Sequence, residues 1–206
     1  MHHIKQQSTN TFYTVQNGAT LAYSIEHNKQ VEIPGQDAFI VLDNIRKSKE
    51  VFKNSGVVIE DIGDGILNLE FQSKMNTIGG DVLAGLNKAI DLAEKDFSGL
   101  VVGNQAANFS VGANIGMIFM MAAEQEYDEL NFAIKAFQDA VMRVRYSNIP
   151  VVVAPQGLTL GGGCEMTMHS DGAQAAAETY IGLVEFGVGV IPGGGGTKEF
   201  TLRASD

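Results

Sequence analysis

Two dense glycine runs, at 161–163 and 193–196, lie in the last third of a 206-residue chain with 24 glycines. The first follows the apolar run Val151-Val152-Val153-Ala154 and opens a helix-like stretch that carries Cys164 and Glu165 in its first turn. Unpaired main-chain N–H groups at such an end carry partial positive charge and can hold an anion or a developing oxyanion. Phosphate binding is the first chemistry to test, and both common templates fail. The Walker order needs Gly-Lys-Ser/Thr, whereas the chain reads Gly196-Thr197-Lys198. A dinucleotide loop starting at Gly187 and Gly189 needs a third glycine at 192, which is Pro192. Close packing or tight turns are the plain alternative use of the glycines.

The reactive side chains nearby also have plain readings. Cys164 could be a thiolate at a helix start, but no histidine is placed to activate it, which favours a small buried thiol. Taken alone, Glu165 is an acid in a helical first turn, a placement worth about 0.3–1 kcal/mol. Glu185, between Val184 and Phe186, reads alone as a solvent-facing strand residue. His27 and His169 lack Cys or carboxylate neighbours at ligand spacing, so no metal site is expected. His169 reads as a helix-surface residue and Asp171 as a structural anchor.

The elements that must position these groups alternate in type from Gly56 onward. Leu67, Leu69 and Phe71 recur at period two, which predicts a strand. Val82, Leu86, Ile90 and Ala93 recur every three or four residues and predict an amphipathic helix. Leu100-Val101-Val102 is a short core strand. Leu130, Ile134, Phe137, Val141 and Val144 form a second helical stripe that stops before Pro150, and residues 151–154 are a third strand. Strands separated by helices predict a layered α/β domain. Alanine-rich residues 173–178 favour helix by propensity, with a strand over part of them as the alternative. Residues 1–55 read as a linker bearing a hairpin, Phe12-Tyr13-Thr14-Val15 and Leu21-Ala22-Tyr23-Ser24-Ile25 joined at Asn17-Gly18. Pro34-Gly35 then breaks the chain before a short apolar run at 38–42.

Composition excludes several classes of function. Fourteen Lys plus Arg against 24 Asp plus Glu leave a charge of -10, the wrong sign for neutralising nucleic-acid phosphates. With 45% hydrophobic and 18% charged residues the chain can bury a core. One cysteine fits a reducing compartment. The polar start MHHIKQQSTN, with His2 and His3 as tag remnants or a solvated end, has no secretory pattern, and the longest apolar run (117–123) is too short for a bilayer. A cytoplasmic protein without membrane or nucleic-acid partners is expected.

Four stretches then carry a resemblance: Ser73-Lys74-Met75-Asn76-Thr77; Asn108-Phe109-Ser110-Val111-Gly112-Ala113-Asn114-Ile115; Leu160-Gly161-Gly162-Gly163-Cys164-Glu165; and Glu185-Phe186-Gly187 through Pro192-Gly193-Gly194-Gly195-Gly196-Thr197. In order and spacing, residues 56–206 resemble the crotonase superfamily, enoyl-CoA hydratases in particular. The resemblance implies an α/β fold of stacked ββα units (the ClpP/crotonase fold), trimer-type assembly, and an acyl-CoA thioester as substrate with no cofactor bound by this segment. It further implies that the N–H groups of Ala113 and Gly162 form an oxyanion hole and that Glu165 and Glu185 are paired catalytic carboxylates. Met75, Asn76, Gly112, Asn114, Ile115, Gly161, Pro192 and Gly193 are the implied substrate contacts.

Both glutamates are present, which favours hydration of 2-enoyl-CoA in fatty-acid β-oxidation over isomerisation. A non-catalytic acyl-CoA-binding module is a third reading. Met117, Met120 and Met121 could line an acyl tunnel or pack in the core. Asn114, Val111, Gln156 and Leu183-Val184 depart from common family residues without removing a catalytic group. The family's domain continues into helices beyond the second glycine run, so a C-terminally truncated fragment is expected. Residues 1–55, Met75-Asn76-Thr77-Ile78-Gly79-Gly80-Asp81 and Gly182-Leu183-Val184-Glu185 resemble multifunctional proteins in which a 3-hydroxyacyl-CoA dehydrogenase, and hence NAD, accompanies the hydratase.

Overall fold

The computed structural model describes residues 11–205; His2, His3 and the rest of the polar start lie outside the described residues. The chain divides into two compact units, one ending at Glu50 and one starting at Val51. In the first, β1 (Tyr13–Gln16), β2 (Ala19–Ser24) and β3 (Lys29–Glu32) form an antiparallel meander. Asn17 (φ 53°) and Gly18 (φ 82°) both take left-handed backbone, the requirement of a two-residue hairpin turn, and pair Gln16 with Ala19 as the Asn-Gly signal predicts. The third strand was not foreseen because Lys29-Gln30-Val31-Glu32 has one apolar residue. Helix α1 (Leu42–Lys49) was not foreseen either, its sequence being mostly polar; Leu42, like Tyr23 on β2, is buried.

The second unit is built on a six-stranded sheet in the order β10-β8-β7-β6-β5-β4. Its strands are β4 (Glu50–Lys53), β5 (Val57–Gly63), β6 (Ile66–Phe71), β7 (Gly99–Gly103), β8 (Val151–Ala154) and β10 (Gly172–Ala173). The β5–β6 pair is antiparallel, while β6, β7, β8 and β10 run parallel. Parallel neighbours need crossovers, and helices α2 (Gly80–Asp96) and α4 (Tyr127–Arg145) supply them. Val82, Leu86, Ala89, Ile90 and Ala93 of α2 pack with Leu67, Leu69, Leu100, Val102, Val151 and Val153 in one core. Each large apolar side chain buried this way is worth about 1.5–3 kcal/mol.

The stripe on α4 is realised only in part. Val141 and Val144 are fully buried, whereas Ile134 is 40% exposed. Helix α3 (Ile115–Ala123) is apolar in sequence yet has no buried residue; Met117 and Met120 are exposed, so they do not serve the core. Residues 173–178 form no helix, contributing only Ala173 to β10.

A smaller pair carries the chemistry-bearing loops. Strand β9 (Leu158–Leu160) runs parallel to β11 (Tyr180–Gly182), and Ser110 bridges to Thr159 on β9. Directly after β9 comes the short helix α5 (Gly162–His169), and the chain's last described helix is α6 (Gly196–Ser205).

Candidate active site

The turn from β9 into α5 needs glycine at its first position. Gly161 has φ +54°, and a Cβ there would lie 3.2 Å from Glu185 Oε1. Its N–H donates to Gly182 O at 3.0 Å, so β11 fixes where α5 begins. Gly162 is the first residue of α5, where an N–H has no acceptor within the helix. Gly112, at φ +81°, packs against this turn: a Cβ there would meet Leu160 O at 2.9 Å and Gly162 N at 3.0 Å. The structure thereby brings the Gly112-Ala113 segment against the start of α5. Among the described residues neither Ala113 N–H nor Gly162 N–H is committed to an acceptor.

Two loops are tied at this point by the Ser110 hydroxyl, which donates to Asn76 O at 2.7 Å and accepts from Gly112 N at 3.1 Å. Gly112 O in turn accepts from Ile78 N at 2.9 Å. Met75 (φ 58°) and Asn76 (φ 53°) are consecutive left-handed residues without being glycine, a placement that costs energy and persists only where neighbours enforce it. The ties to Asn76 show the enforcement, since its side-chain N–H also donates to Asn108 O at 3.0 Å. Met75 is left exposed. Asn114 caps α3, its Oδ1 accepting from Met117 N at 3.3 Å, and Ile115 is the first residue of that helix. Pro192 and Gly193 are half-buried, with Gly193 O accepting from Gln138 Nε2 at 2.6 Å.

Glu165 lies one turn after Gly162 and is 2% exposed. Its Oε1 accepts from Gly194 N at 2.8 Å and Gly196 N at 2.9 Å. Burial pushes its carboxyl above the ordinary range, Glu185 adds to this, and the two amides partly oppose it. Glu185 is buried in a single 3-10 turn (Glu185–Val188), not in the solvent-facing strand that its neighbours suggested. Its Oε2 has no hydrogen-bond partner among the described residues. Glu185 thus presents a buried carboxylate oxygen without a donor beside a second carboxylate that feels its charge. Cys164 is buried and its thiol is pushed up to about 11, chiefly by burial and then by both glutamates, which makes it a poor nucleophile.

His169 contradicts its reading as a surface residue: it is 2% exposed, and Nδ1 lies 2.7 Å from Glu165 O. Sequence reasoning also passed over Gly194 and Gly196 as anchors of Glu165, Ser110 as a tie, and the ion cluster that Arg145, Arg203 and Lys198 form around the buried Glu199. Only the i, i+4 spacing of Glu199 and Arg203 gave a local signal for the last.

A family profile described as enoyl-CoA hydratase/isomerase matches residues 61–204. The chain is 43% identical over 194 residues to a Bacillus subtilis protein named "Probable 3-hydroxyacyl-CoA dehydrogenase", covering 94% of this chain and 24% of that one. It is 32% identical over 162 residues to a Rickettsia felis protein named "Putative fatty acid oxidation complex trifunctional enzyme", covering 76% of this chain and 22% of that one. The chain thus spans about a quarter of the length of the curated relatives it matches. Among solved structures, an enoyl-CoA hydratase from Thermoplasma volcanium superposes with a TM-score of 0.65 at 27% identity, over 74% of this chain and 60% of that one.

Proposed function

Because the chain belongs to the enoyl-CoA hydratase/isomerase family, we propose that it is the lyase part of a larger protein and adds water to 2-enoyl-CoA thioesters, giving 3-hydroxyacyl-CoA in fatty-acid β-oxidation. The observation that carries this reading is the carboxylate arrangement: Glu165 has Oε1 tied to two amides, and Glu185 presents a buried oxygen with no partner. Isomerisation needs one base; two buried acids that sense each other suit a reaction that both activates water and delivers a proton.

In the proposed reaction the thioester oxygen lies against the Ala113 and Gly162 N–H groups, with Met75, Asn76, Gly112, Asn114, Ile115, Gly161, Pro192 and Gly193 around the ligand. Glu165, ionised, takes a proton from water as its oxygen bonds to C3. The π electrons move toward the thioester, and the resulting enolate charge is met by the two amides, each worth about 10²–10³ in rate. Glu185 then delivers a proton to C2 and is restored by the one that Glu165 took from water. Beyond the thioester and one water, these steps use only the protein's own groups. Assignment of the two roles follows position: Glu165 is held rigidly by main-chain donors and Glu185 is not.

The names of the relatives and the share of their length that is matched support a multifunctional parent with a 3-hydroxyacyl-CoA dehydrogenase, which would use NAD elsewhere in that protein. In this reading residues 1–55 are a connector, 56–206 belong to the hydratase domain, and the hydratase packs against copies of itself or against a neighbouring domain. Among the described residues no helix is long and apolar enough to cross a membrane; the free, buried Cys164 supports a reducing, cytoplasmic setting.

The test is turnover of crotonyl-CoA by the full-length protein. Glu165→Gln and Glu185→Gln are each expected to lower kcat by about 10²–10⁴. Near wild-type hydration in either variant overturns the assignment, and double-bond migration of a 3-enoyl-CoA without hydration of a 2-enoyl-CoA would replace it with isomerisation.

A further inference from the structure

Helix α6 touches the helix carrying Glu165 at both ends of a single turn. At its start Gly196 N donates to Glu165 Oε1. Three residues later Glu199, 1% exposed, accepts at Oε2 from Arg145 Nη2 of α4 at 2.5 Å and from Arg203 Nη1 of its own helix at 2.6 Å. The same two guanidinium groups reach on to the C-terminal end of α5, where Met168 O accepts from Arg145 Nη2 at 3.2 Å and from Arg203 Nη2 at 2.7 Å. Next to it His169 Nδ1 donates to Glu165 O, since a carbonyl can only accept. Helices α5 and α6 are therefore clamped twice: by the Glu165 carboxylate at one end and by the guanidinium pair that Glu199 neutralises at the other. Removing the charge of Glu199, the one fully buried member of the cluster, would leave Arg145, Arg203 and Lys198 without the carboxylate they share.

Resting on the hydratase reading, we infer that Glu199 is a positioning residue for Glu165. Through Arg145 and Arg203 on the Met168 carbonyl it holds α6 in the register where Gly194 and Gly196 N–H both land on Glu165 Oε1. That register leaves Oε2 as the oxygen that takes the proton from water. Glu165 feels Glu185 in the 185–188 turn and lies beside Cys164 on its own helix, where Arg203 of α6 also bears on the thiol; at the far end of α5, His169 faces Glu199 and Lys198 of α6 and Arg145 of α4.

The sign of one measurement separates positioning from charge alone. Deleting a nearby negative charge would ease ionisation of Glu165 and move the acid limb of kcat to lower pH. Losing the two amide donors removes stabilisation of the carboxylate and moves that limb to higher pH, by about one unit. In the full-length protein, Glu199→Gln is expected to raise the acid limb, lower the plateau kcat about ten-fold, and leave KM for crotonyl-CoA within about two-fold. Glu199→Asp, which keeps the charge, should restore the limb toward wild type. Should Glu199→Gln not fold, Arg203→Gln removes one of the two ties and should move the limb in the same direction by less. A limb that stays in place while thermal stability falls, or one that moves to lower pH, overturns the inference. Glu165→Gln in the same series keeps the two questions apart. Its retained turnover would sink the hydratase reading, whereas loss of turnover there with an unmoved limb in Glu199→Gln sinks only the positioning role.

Discussion

Glu165 shows what a buried acid costs the fold that holds it. Burial and the neighbouring Glu185 raise its carboxyl above the ordinary range, and the two amides of Gly194 and Gly196 offset this only in part. For an acid raised on folding, the ionised form is the strained one, so stability is lost as pH rises through the folded value. Glutamine has nearly the same shape, carries no charge and can accept the same two N–H groups. At pH 8, Glu165→Gln is thus expected to unfold at a higher temperature than wild type while losing hydration, and a lower melting temperature in calorimetry would contradict this account. The glycine at 194 belongs to the same design, because a Cβ there would lie 2.2 Å from Phe137 Cε1 and 2.6 Å from Glu165 Oε2. Both glutamates were legible in the sequence through the motifs around them. The amide donors were not, because Gly194 and Gly196 stand 29 and 31 residues away along the chain.

At the scale of elements, the loops that frame the site are joined by side chains more than by sheet hydrogen bonding. Ser110 is fully buried and ties the main chain at Asn76 to that at Gly112. Ser110→Ala would leave both groups without that partner, at a cost of about 1–3 kcal/mol. Denaturant unfolding should show that loss as a lower midpoint, with kcat falling more than stability alone explains because Ala113 follows Gly112 directly. An unchanged midpoint would mean that the loop is held otherwise. Periodicity recovered the strands at 65–71, 100–102 and 151–154 and the helix through Val82 because each has a sheet or helix pressed on its apolar side. It over-read α4, where apolar spacing continues past the end of the packed face: Ile134 has the right residue type and stays 40% exposed.

At the scale of the molecule, two buried acids, Glu165 and Glu199, push the acid response in opposite directions. Glu199 is held down to about 2 from 4.5: burial opposes the shift, and hydrogen bonds from Lys198, Arg203 and Arg145 outweigh it. A depressed acid contributes stability that is present above its unfolded value and is lost as pH falls through the folded one. Stability should therefore decline between about pH 4.5 and pH 2, and Glu199→Gln should be less stable at pH 7 with a flatter decline across that window. Parallel acid-unfolding curves for the two proteins would show that another group controls the response.

What the linear order of residues determined by itself was local: strand and helix periods, the Asn17-Gly18 hairpin, the positions where only glycine suits the backbone, and the motif series that marks the family. Each depends on neighbours a few residues apart, so it can be read without knowing the fold. Tertiary structure alone decided that His169 is buried, that Glu199 joins Arg145 across 54 positions, and that the second glycine run is an anchor for Glu165. Those outcomes come from segments meeting across long stretches of chain, where the energy lies in desolvated charge and shared hydrogen bonds that leave no periodic trace in the sequence.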